Sequence, residues 1–293
     1  KMSDEFNTKT LPVSRIIKRY QYADTLPDIS IYARIGIYLG SHDPFSKELT
    51  EYMEGFCNQY HSVVLCDHTS NYKGKHRFHS SYVAAQEYLR REDYVFDLII
   101  DLGEVSGDYY QFDVNEVWRV SVDGEIKDRF GKLTNVFEMD EKSFFRYYSA
   151  LEVKRRKRED MLKKLTETDE GLRRNTPDLP FSNIWIAKNS SMLLPMGSVV
   201  HFGILNSLRA WNFFEIPESV YSYCNVGGFG IDGGLSSLIG ASFADDEKLY
   251  FCFLGDLAFF YDLNAIGNRH VGNNVRIMVI NNGKGTEFRN YSH

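Results

Sequence analysis

Short apolar runs alternate with amphipathic stretches along most of this chain. Apolar runs bounded by Gly, Pro, Asn and Asp are typical of buried parallel strands, and apolar residues three or four positions apart are typical of helices. In the first half, this pattern predicts strands at 35–39, 63–66, 95–102, 117–120 and 136–139, and helices at 45–60, 82–91 and from Glu141 onward. The alternation predicts a parallel sheet with helices on both faces.

A charged segment separates this region from a second region in which predicted strands and helices also alternate. Residues 151–174 mix basic and acidic side chains with one partial apolar stripe, which predicts a solvated connecting helix that ends in the proline-containing stretch 175–180. Further strands are predicted at 199–203, 220–224, 249–254 and 275–280, and further helices at 182–194, 205–213, 231–243 and 258–271. The predicted fold class is therefore α/β, with two Rossmann-like, doubly wound parallel-sheet domains.

The same pattern suggests where the domains begin and end. We place an N-terminal linker at 1–30, a central Rossmann-like domain at 31–150, a charged helix and linker at 151–180, and a second domain at 181–293. The length of 293 residues is sufficient for two substantial cores.

Composition narrows the class of protein. A hydrophobic content of 43% and a charged content of 25% are ordinary for a globular protein, and the net charge of −6 argues against nucleic-acid binding. No apolar segment approaches the ~20 residues that span a bilayer, and no secretory signal opens the chain. The four cysteines (Cys57, Cys66, Cys224 and Cys252) are scattered without a CxxC pair, which predicts buried thiols and a cytoplasmic location.

Two local features leave alternatives open. The turn from Gly40 to Pro44 follows a predicted strand but lacks a GxGxxG motif, so a structural turn is favoured over a nucleotide site or an effector pocket. Four histidines between residues 61 and 79 are spaced so that no two share a helix face, which favours surface or phosphate-facing roles over zinc binding. These histidines are His61, His68, His76 and His79.

The clearest chemical signal lies at the ends of the last two predicted strands. Gly255-Asp256-Leu257 closes one strand, and Asn281-Asn282-Gly283 closes the next, with Asn282 26 positions after Asp256. Because the carboxyl ends of parallel strands meet at one edge of a sheet, these side chains should converge there. Carboxylate and amide oxygens suit octahedral Mg²⁺, so the pattern predicts a site for a magnesium-bound diphosphate.

A Gly-Asp pair followed by an Asn pair resembles the signature of thiamine diphosphate (ThDP) enzymes. Together with the stretch 230–242, it is similar to the menaquinone-pathway synthases that join 2-oxoglutarate to isochorismate (the MenD or SEPHCHC synthase family). The resemblance implies a ThDP- and Mg²⁺-dependent 2-oxoacid decarboxylase or carboligase. The alternatives are SEPHCHC synthase itself and a non-catalytic cofactor-binding subunit. The implied partners are a small 2-oxoacid, an acceptor and further copies of the chain in a homodimer or homotetramer.

The resemblance also implies roles for individual residues. Asp256 and Asn282 would bind the metal with their side chains and Lys284 with its carbonyl, while Ile231 would support the bent, V-shaped cofactor. The cofactor-binding residues implied are Gly230, Ile231, Gly255, Asp256, Leu257, Ala258, Asn282, Thr286, Glu287 and Phe288. The family's activating Glu belongs to an N-terminal domain that is not in this chain, so we expect an inactive fragment truncated at both ends.

The expected substrate residues depart from the family pattern. Ser207 matches the family's Ser, but Trp211 and Val226 stand where the family has two carboxylate-binding Arg residues. Neither side chain can replace a guanidinium group, so an altered, less anionic substrate is expected. The predicted substrate residues are Ser207, Arg209, Trp211 and Asn225, and His201 and Phe229 are further candidates for the pocket wall.

Overall fold

The computed structural model describes residues 15–108, 111–152, 159–228 and 230–283, and its strands form two parallel sheets. The strands are β1 Lys18–Tyr20, β2 Ile35–Leu39, β3 Val63–Cys66, β4 Arg77–His79, β5 Phe96–Leu102, β6 Val114–Ser121, β7 Leu133–Glu138, β8 Val199–Phe202, β9 Tyr221–Cys224, β10 Tyr250–Gly255 and β11 Val275–Ile280. The α-helices are α1 Lys47–Tyr60, α2 Ser81–Ala84, α3 Glu141–Ser149, α4 Met161–Arg174, α5 Asn183–Ser190, α6 Asn206–Trp211, α7 Gly234–Ser242 and α8 Asp256–Tyr261.

The first sheet has seven parallel strands in the order β1-β7-β6-β5-β2-β3-β4. Its strands β2, β3 and β5 are buried on both faces, and two separate apolar clusters cover the sheet. One cluster includes Phe56 of α1 and Phe144 of α3, and the other includes Met161 and Leu165 of α4. Since the chain leaves β2 toward β3 and later returns on its other side as β5, the carboxyl ends of β2 and β5 form a topological switch point.

The second sheet has four parallel strands in the order β11-β10-β8-β9. Its switch point lies between β8 and β10, where the strands approach closely. A Cβ atom added at Gly203 would lie 3.0 Å from the Cβ of Leu254, so a larger residue would push the two strands apart. The predicted fold class, two doubly wound parallel-sheet α/β units, is confirmed.

Several predicted boundaries were wrong. β1 lies in the segment assigned to a linker and pairs with β7, and β4 was not predicted. The helix expected at 82–91 is only the one-turn α2, followed by turns. The connecting helix begins at Met161, because the Asp160 carboxylate accepts the Lys163 N–H and caps it. The buried Met161 and Leu165 pack α4 against the first sheet, so this helix is not simply solvated.

A loop of the first unit fastens it to the second, and we call residues 67–73 the clamp loop. His68 Nε2 donates to the carbonyls of Trp211 and Phe214, at 3.0 and 2.9 Å. Asn71 bonds to both backbone groups of Ser222, accepting its N–H at 3.0 Å and donating to its carbonyl at 3.1 Å. The clamp loop therefore fixes the positions of α6 and β9.

Cys57, Cys66, Cys224 and Cys252 are all buried and free, as predicted. Burial raises the pKa of the Cys66 and Cys252 thiols to about 12, so both are protonated at neutral pH. None of the helices in the described part of the chain combines the length and apolarity needed to cross a bilayer.

Candidate functional site

The two predicted motifs meet at the carboxyl edge of the second sheet. β10 and β11 pair in register through Gly255 and Ile280, so Asp256 and the Asn281–Gly283 loop leave the sheet side by side. One carboxylate oxygen of Asp256 accepts the N–H of Gly283 at 2.9 Å, the residue directly after Asn282. The two loops that follow β10 and β11 therefore meet at this edge of the sheet through the Asp256 side chain and the Gly283 backbone.

The other oxygen of Asp256 accepts the N–H of Leu257 at 2.8 Å. The resemblance implies that Leu257 binds the cofactor, and its N–H is here bonded to the preceding side chain. Asp256, Gly255 and Ala258 are half-buried, and Leu257 is exposed. Asp256 therefore bonds to the backbone of both loops, and the residue remains partly exposed.

A cavity of about 560 Å³ opens beside the Asn281-Asn282 loop. It lies between α5, α6 and the end of β11, and Asn206, Arg209 and Asn282 line it. This cavity brings the predicted substrate residue Arg209 and the predicted metal ligand Asn282 to one space. Asn206 was not predicted as a site residue, although it directly precedes Ser207 in the motif.

Two other predicted substrate residues do not line this cavity. Trp211 is 2% exposed and stacks on Phe253, with ring centroids 4.2 Å apart, so it is a core residue. Ser207 is also buried, in the first turn of α6. The structure therefore gives no support to the predicted contact of Trp211 with substrate.

The turn between β8 and α6 carries an unusual backbone conformation. Leu205 has φ +70° and ψ −119°, a combination that favours glycine. A side chain in this region costs roughly 1–3 kcal/mol. The backbone at Leu205, just before Asn206 and Ser207, therefore has a conformation that usually requires glycine, and this lowers the stability of the fold.

Asn225 and His201 lie together near the start of α7. Asn225 is half-buried and donates to Ser237 Oγ at 3.1 Å, and His201 Cδ2 would lie 3.9 Å from a Cβ atom added at Gly234. His201 Nε2 is buried without a hydrogen-bond partner among the described residues. Burial lowers the pKa of His201 to about 4, so the imidazole is neutral. Gly230 and Ile231, which lead toward α7, are half-buried.

Several predicted residues lie outside the described part of the chain. These are Phe229, Lys284, Thr286, Glu287 and Phe288. Within the described ranges, no group of three or more His, Cys, Asp or Glu side chains could hold a metal. The metal site we predicted needs a single carboxylate, with an amide and a backbone carbonyl as its other protein ligands.

Sequence similarity to individual known proteins identifies the family to which the chain belongs. No family model matches the chain. The 2-succinyl-5-enolpyruvyl-6-hydroxy-3-cyclohexene-1-carboxylate (SEPHCHC) synthase of Phocaeicola vulgatus is 30% identical in an alignment 301 positions long, which covers 97% of this chain and 53% of that enzyme. The chain belongs to the family of the SEPHCHC synthases. The synthase of Bacteroides thetaiotaomicron is 29% identical in an alignment 306 positions long, which again covers 97% of the chain and 53% of the enzyme.

A shorter match to this group of enzymes has higher identity. The SEPHCHC synthase of Bacteroides fragilis (strain YCH46) is 37% identical in an alignment 179 positions long, which covers 59% of this chain and 30% of that enzyme. The chain spans about half the length of the two synthases that it matches almost throughout. The resemblance to a MenD-like enzyme is therefore confirmed, while the activity of the whole protein is a separate question.

Proposed function

We propose that this chain carries the cofactor-binding part of a ThDP- and Mg²⁺-dependent 2-oxoacid decarboxylase or carboligase. The observation that carries the proposal is the bond between the Asp256 carboxylate and the Gly283 N–H. It holds the Gly-Asp and Asn-Asn loops together at the end of two parallel strands. The SEPHCHC synthase relatives support the same reaction class.

The residues at this edge fit a magnesium-bound diphosphate. Asp256 and Asn282 would offer hard oxygen ligands, and the Lys284 carbonyl would complete the set of protein ligands. Gly255 leaves open space beside the carboxylate, because a Cβ atom added there would meet nothing within 4 Å. When bound, ThDP supplies the electron sink that allows a 2-oxoacid to lose CO₂, and the protein orients the reactants and excludes water.

We further propose that the substrate differs from that of the SEPHCHC synthases. Val226, at one family Arg position, is 4% exposed and packs in the same core as Trp211, at the other. A Cβ atom added at Gly107 of the first unit would lie 2.9 Å from Val226 Cγ1 and 2.6 Å from Leu208 Cδ2. The space at Val226 is therefore closed by apolar packing, which leaves no room for a second carboxylate clamp.

Arg209, the cationic residue of α6, lines the cavity beside the Asn281-Asn282 loop. We propose that it binds the carboxylate of the 2-oxoacid donor. A guanidinium group binds a carboxylate through two parallel hydrogen bonds. Arg209 lines the same cavity as Asn282. In the complete polypeptide, Arg209→Met keeps an unbranched side chain at this position and removes the guanidinium group with its charge. We expect the KM for the 2-oxoacid to rise at least tenfold, while Arg269→Met on the exposed surface of the same domain changes nothing.

The assay that tests the proposal measures CO₂ release by the complete polypeptide with ThDP and Mg²⁺. The donors are pyruvate, 2-oxoglutarate and phosphonopyruvate, each with and without isochorismate. We expect release from a donor other than 2-oxoglutarate. Isochorismate-dependent turnover of 2-oxoglutarate would instead identify SEPHCHC synthase, the activity of the relatives. Cofactor binding with no release from any donor would contradict the enzymatic proposal and favour a binding subunit.

A further inference from the structure

The cavity beside the Asn281-Asn282 loop has a large apolar wall. Residues of α5, α6 and β11 and of the segments beside the two helices form it: Phe181, Ile184, Ile186, Ala210, Phe213 and Ile280. Contact with such a wall removes apolar ligand surface from water, which favours binding. The wall therefore favours a ligand with an apolar body.

Two aromatic side chains of this wall are held by neighbouring rings. Phe181 packs against Trp185 of α5, with ring centroids 5.4 Å apart. Phe213 packs edge to face against Tyr82 of the first unit, with ring centroids 5.8 Å apart. Such aromatic pairs favour a defined arrangement of both rings. The shape of the apolar wall is therefore set by contacts within the protein, and the first unit contributes to it.

The apolar surface continues along β11. Met278 and Ile280 are two positions apart on this strand, so their side chains lie on the same face of the sheet. Met278 lines a neighbouring cavity of about 390 Å³, together with Leu193 and Phe251. A ligand bound beside Asn282 therefore meets further apolar surface in the direction of Met278, which leaves room for a long or branched apolar group.

The charge of the lining fits a single carboxylate. Arg209 is the one cationic residue among the described residues that line the cavity, and none of those residues is acidic. The polar residues of the lining are otherwise neutral: Ser182, Asn183, Asn206, Asn281 and Asn282. One guanidinium group pairs with one carboxylate. A second carboxylate on the ligand would lose water beside apolar side chains without gaining a cation, which disfavours its binding.

We propose that the donor is a monocarboxylic 2-oxoacid with a large apolar side chain. Its carboxylate binds Arg209, as in the proposed function on which this inference rests. Its side chain lies against Ile184, Ile186 and Phe213, which therefore select the donor. 2-Oxoglutarate, which has a second carboxylate, is then a poor donor.

Two donors of similar shape separate the effect of charge from the effect of size. 5-Methyl-2-oxohexanoate has an isopropyl group where 2-oxoglutarate has its second carboxylate. The assay measures CO₂ release by the complete polypeptide with ThDP and Mg²⁺. We expect kcat/KM to be at least tenfold higher for 5-methyl-2-oxohexanoate. In the linear series from 2-oxobutyrate to 2-oxohexanoate, kcat/KM should rise about two- to fourfold with each methylene group.

Ile184→Arg tests the wall itself. Ile184 is 36% exposed on α5, so a longer charged side chain fits there without burial of its charge. The added cation should lower the ratio of kcat/KM for 5-methyl-2-oxohexanoate to kcat/KM for 2-oxoglutarate at least tenfold. Met192→Arg adds the same charge at a 63% exposed position outside the cavity and should keep the native ratio.

The outcomes separate the donor class from the proposed function. A kcat/KM for 2-oxoglutarate that equals or exceeds that for 5-methyl-2-oxohexanoate would overturn the donor class alone, and so would an unchanged ratio in Ile184→Arg. No CO₂ release from any donor would contradict the proposed function, and calorimetry with the same two acids would then test the cavity. Binding of 2-oxoglutarate at least as tight as that of 5-methyl-2-oxohexanoate would overturn the donor class in that case too.

Discussion

At the scale of single residues, three histidines are held neutral by burial. Burial lowers the pKa of His68 to about 3 and of His201 to about 4, and it also lowers the pKa of His79. The rings of His68 and His79 contact edge to face, with centroids 4.5 Å apart. In the unfolded chain these imidazoles take up protons near pH 6.5, so acid favours unfolding.

The free energy of unfolding should therefore fall as the pH decreases from 7 to 5. Each histidine with a strongly lowered pKa contributes about 2 kcal/mol to this loss, at about 1.4 kcal/mol per pH unit below 6.5. Asp101 acts in the opposite direction, because burial raises its pKa to about 6 and the folded state takes up its proton first. The measured change of the free energy of unfolding with pH is the sum of the histidine and Asp101 contributions.

His79→Leu tests the histidine contribution. The variant should lose about 2 kcal/mol less stability between pH 7 and pH 5 than the native chain, measured by urea unfolding at each pH. His270→Leu, on an exposed histidine, should keep the native pH dependence. An unchanged dependence in His79→Leu would show that His79 is not buried in its neutral form.

The sequence predicted some site residues and missed others for definable reasons. The meeting of the two loops could be predicted because Asp256 directly follows β10 and Asn282 lies two residues after the end of β11, and parallel strand ends converge. The burial of Trp211 could not be predicted, because an aromatic residue on a short helix can lie equally well in a pocket or in the core. The role of Gly283 was also missed, since a backbone N–H leaves no signal in the side-chain pattern.

At the scale of elements, long apolar runs were predicted well and short polar strands were not. β2 and β3 have fully buried, apolar sequences, and their predicted and observed bounds agree. β1, with the sequence Lys-Arg-Tyr, joins the sheet only through its pairing with β7, which is more than 100 residues away. Local patterns contain no information on such distant pairing, so edge strands of this kind escape prediction.

The start of α7 depends on a residue from a different element. Gly233 has φ +78° and no side chain to cap the helix. Asp262, which follows α8, accepts the Ser236 N–H at 2.6 Å and also bonds to the Ser236 hydroxyl. The carboxylate therefore replaces the missing cap and ties α7 to the end of α8.

Removal of this cap should destabilise the second unit. Asp262→Ala should lower the free energy of unfolding by about 1–2 kcal/mol, the usual cost of losing a charged cap. Asp262→Asn keeps an acceptor oxygen and should lose less than half as much. Equal stability of the alanine variant and the native chain in urea titrations would contradict this role.

At the scale of the whole molecule, the clamp loop makes the two units interdependent. Asn71 occupies a left-handed conformation with φ +52°, which Asn and Asp tolerate. It bonds to both backbone groups of Ser222, and Lys73 Nζ donates to the Val220 carbonyl at 2.9 Å. These bonds cross between the sheets, so we expect the native chain to unfold in one transition.

Asn71→Asp tests this coupling without changing the shape of the side chain. The carboxylate can still accept the Ser222 N–H, but it faces the Ser222 carbonyl without a proton to donate. We expect two separated unfolding transitions in calorimetry, with the second unit melting first. Asn264→Asp, at an exposed position, should keep the single transition. A single transition in Asn71→Asp would mean that the clamp loop does not couple the units.

The most direct test of the coenzyme assignment is calorimetry of the chain with ThDP, in the presence and absence of Mg²⁺. We expect saturable binding that needs Mg²⁺ and that weakens at least tenfold in Asp256→Asn, whose amide keeps the shape of the carboxylate and loses its charge. Asp245→Asn, on a carboxylate paired with Lys248, is the matched control and should bind like the native chain. Binding of ThDP with equal affinity by Asp256→Asn, or without Mg²⁺, would contradict the assignment.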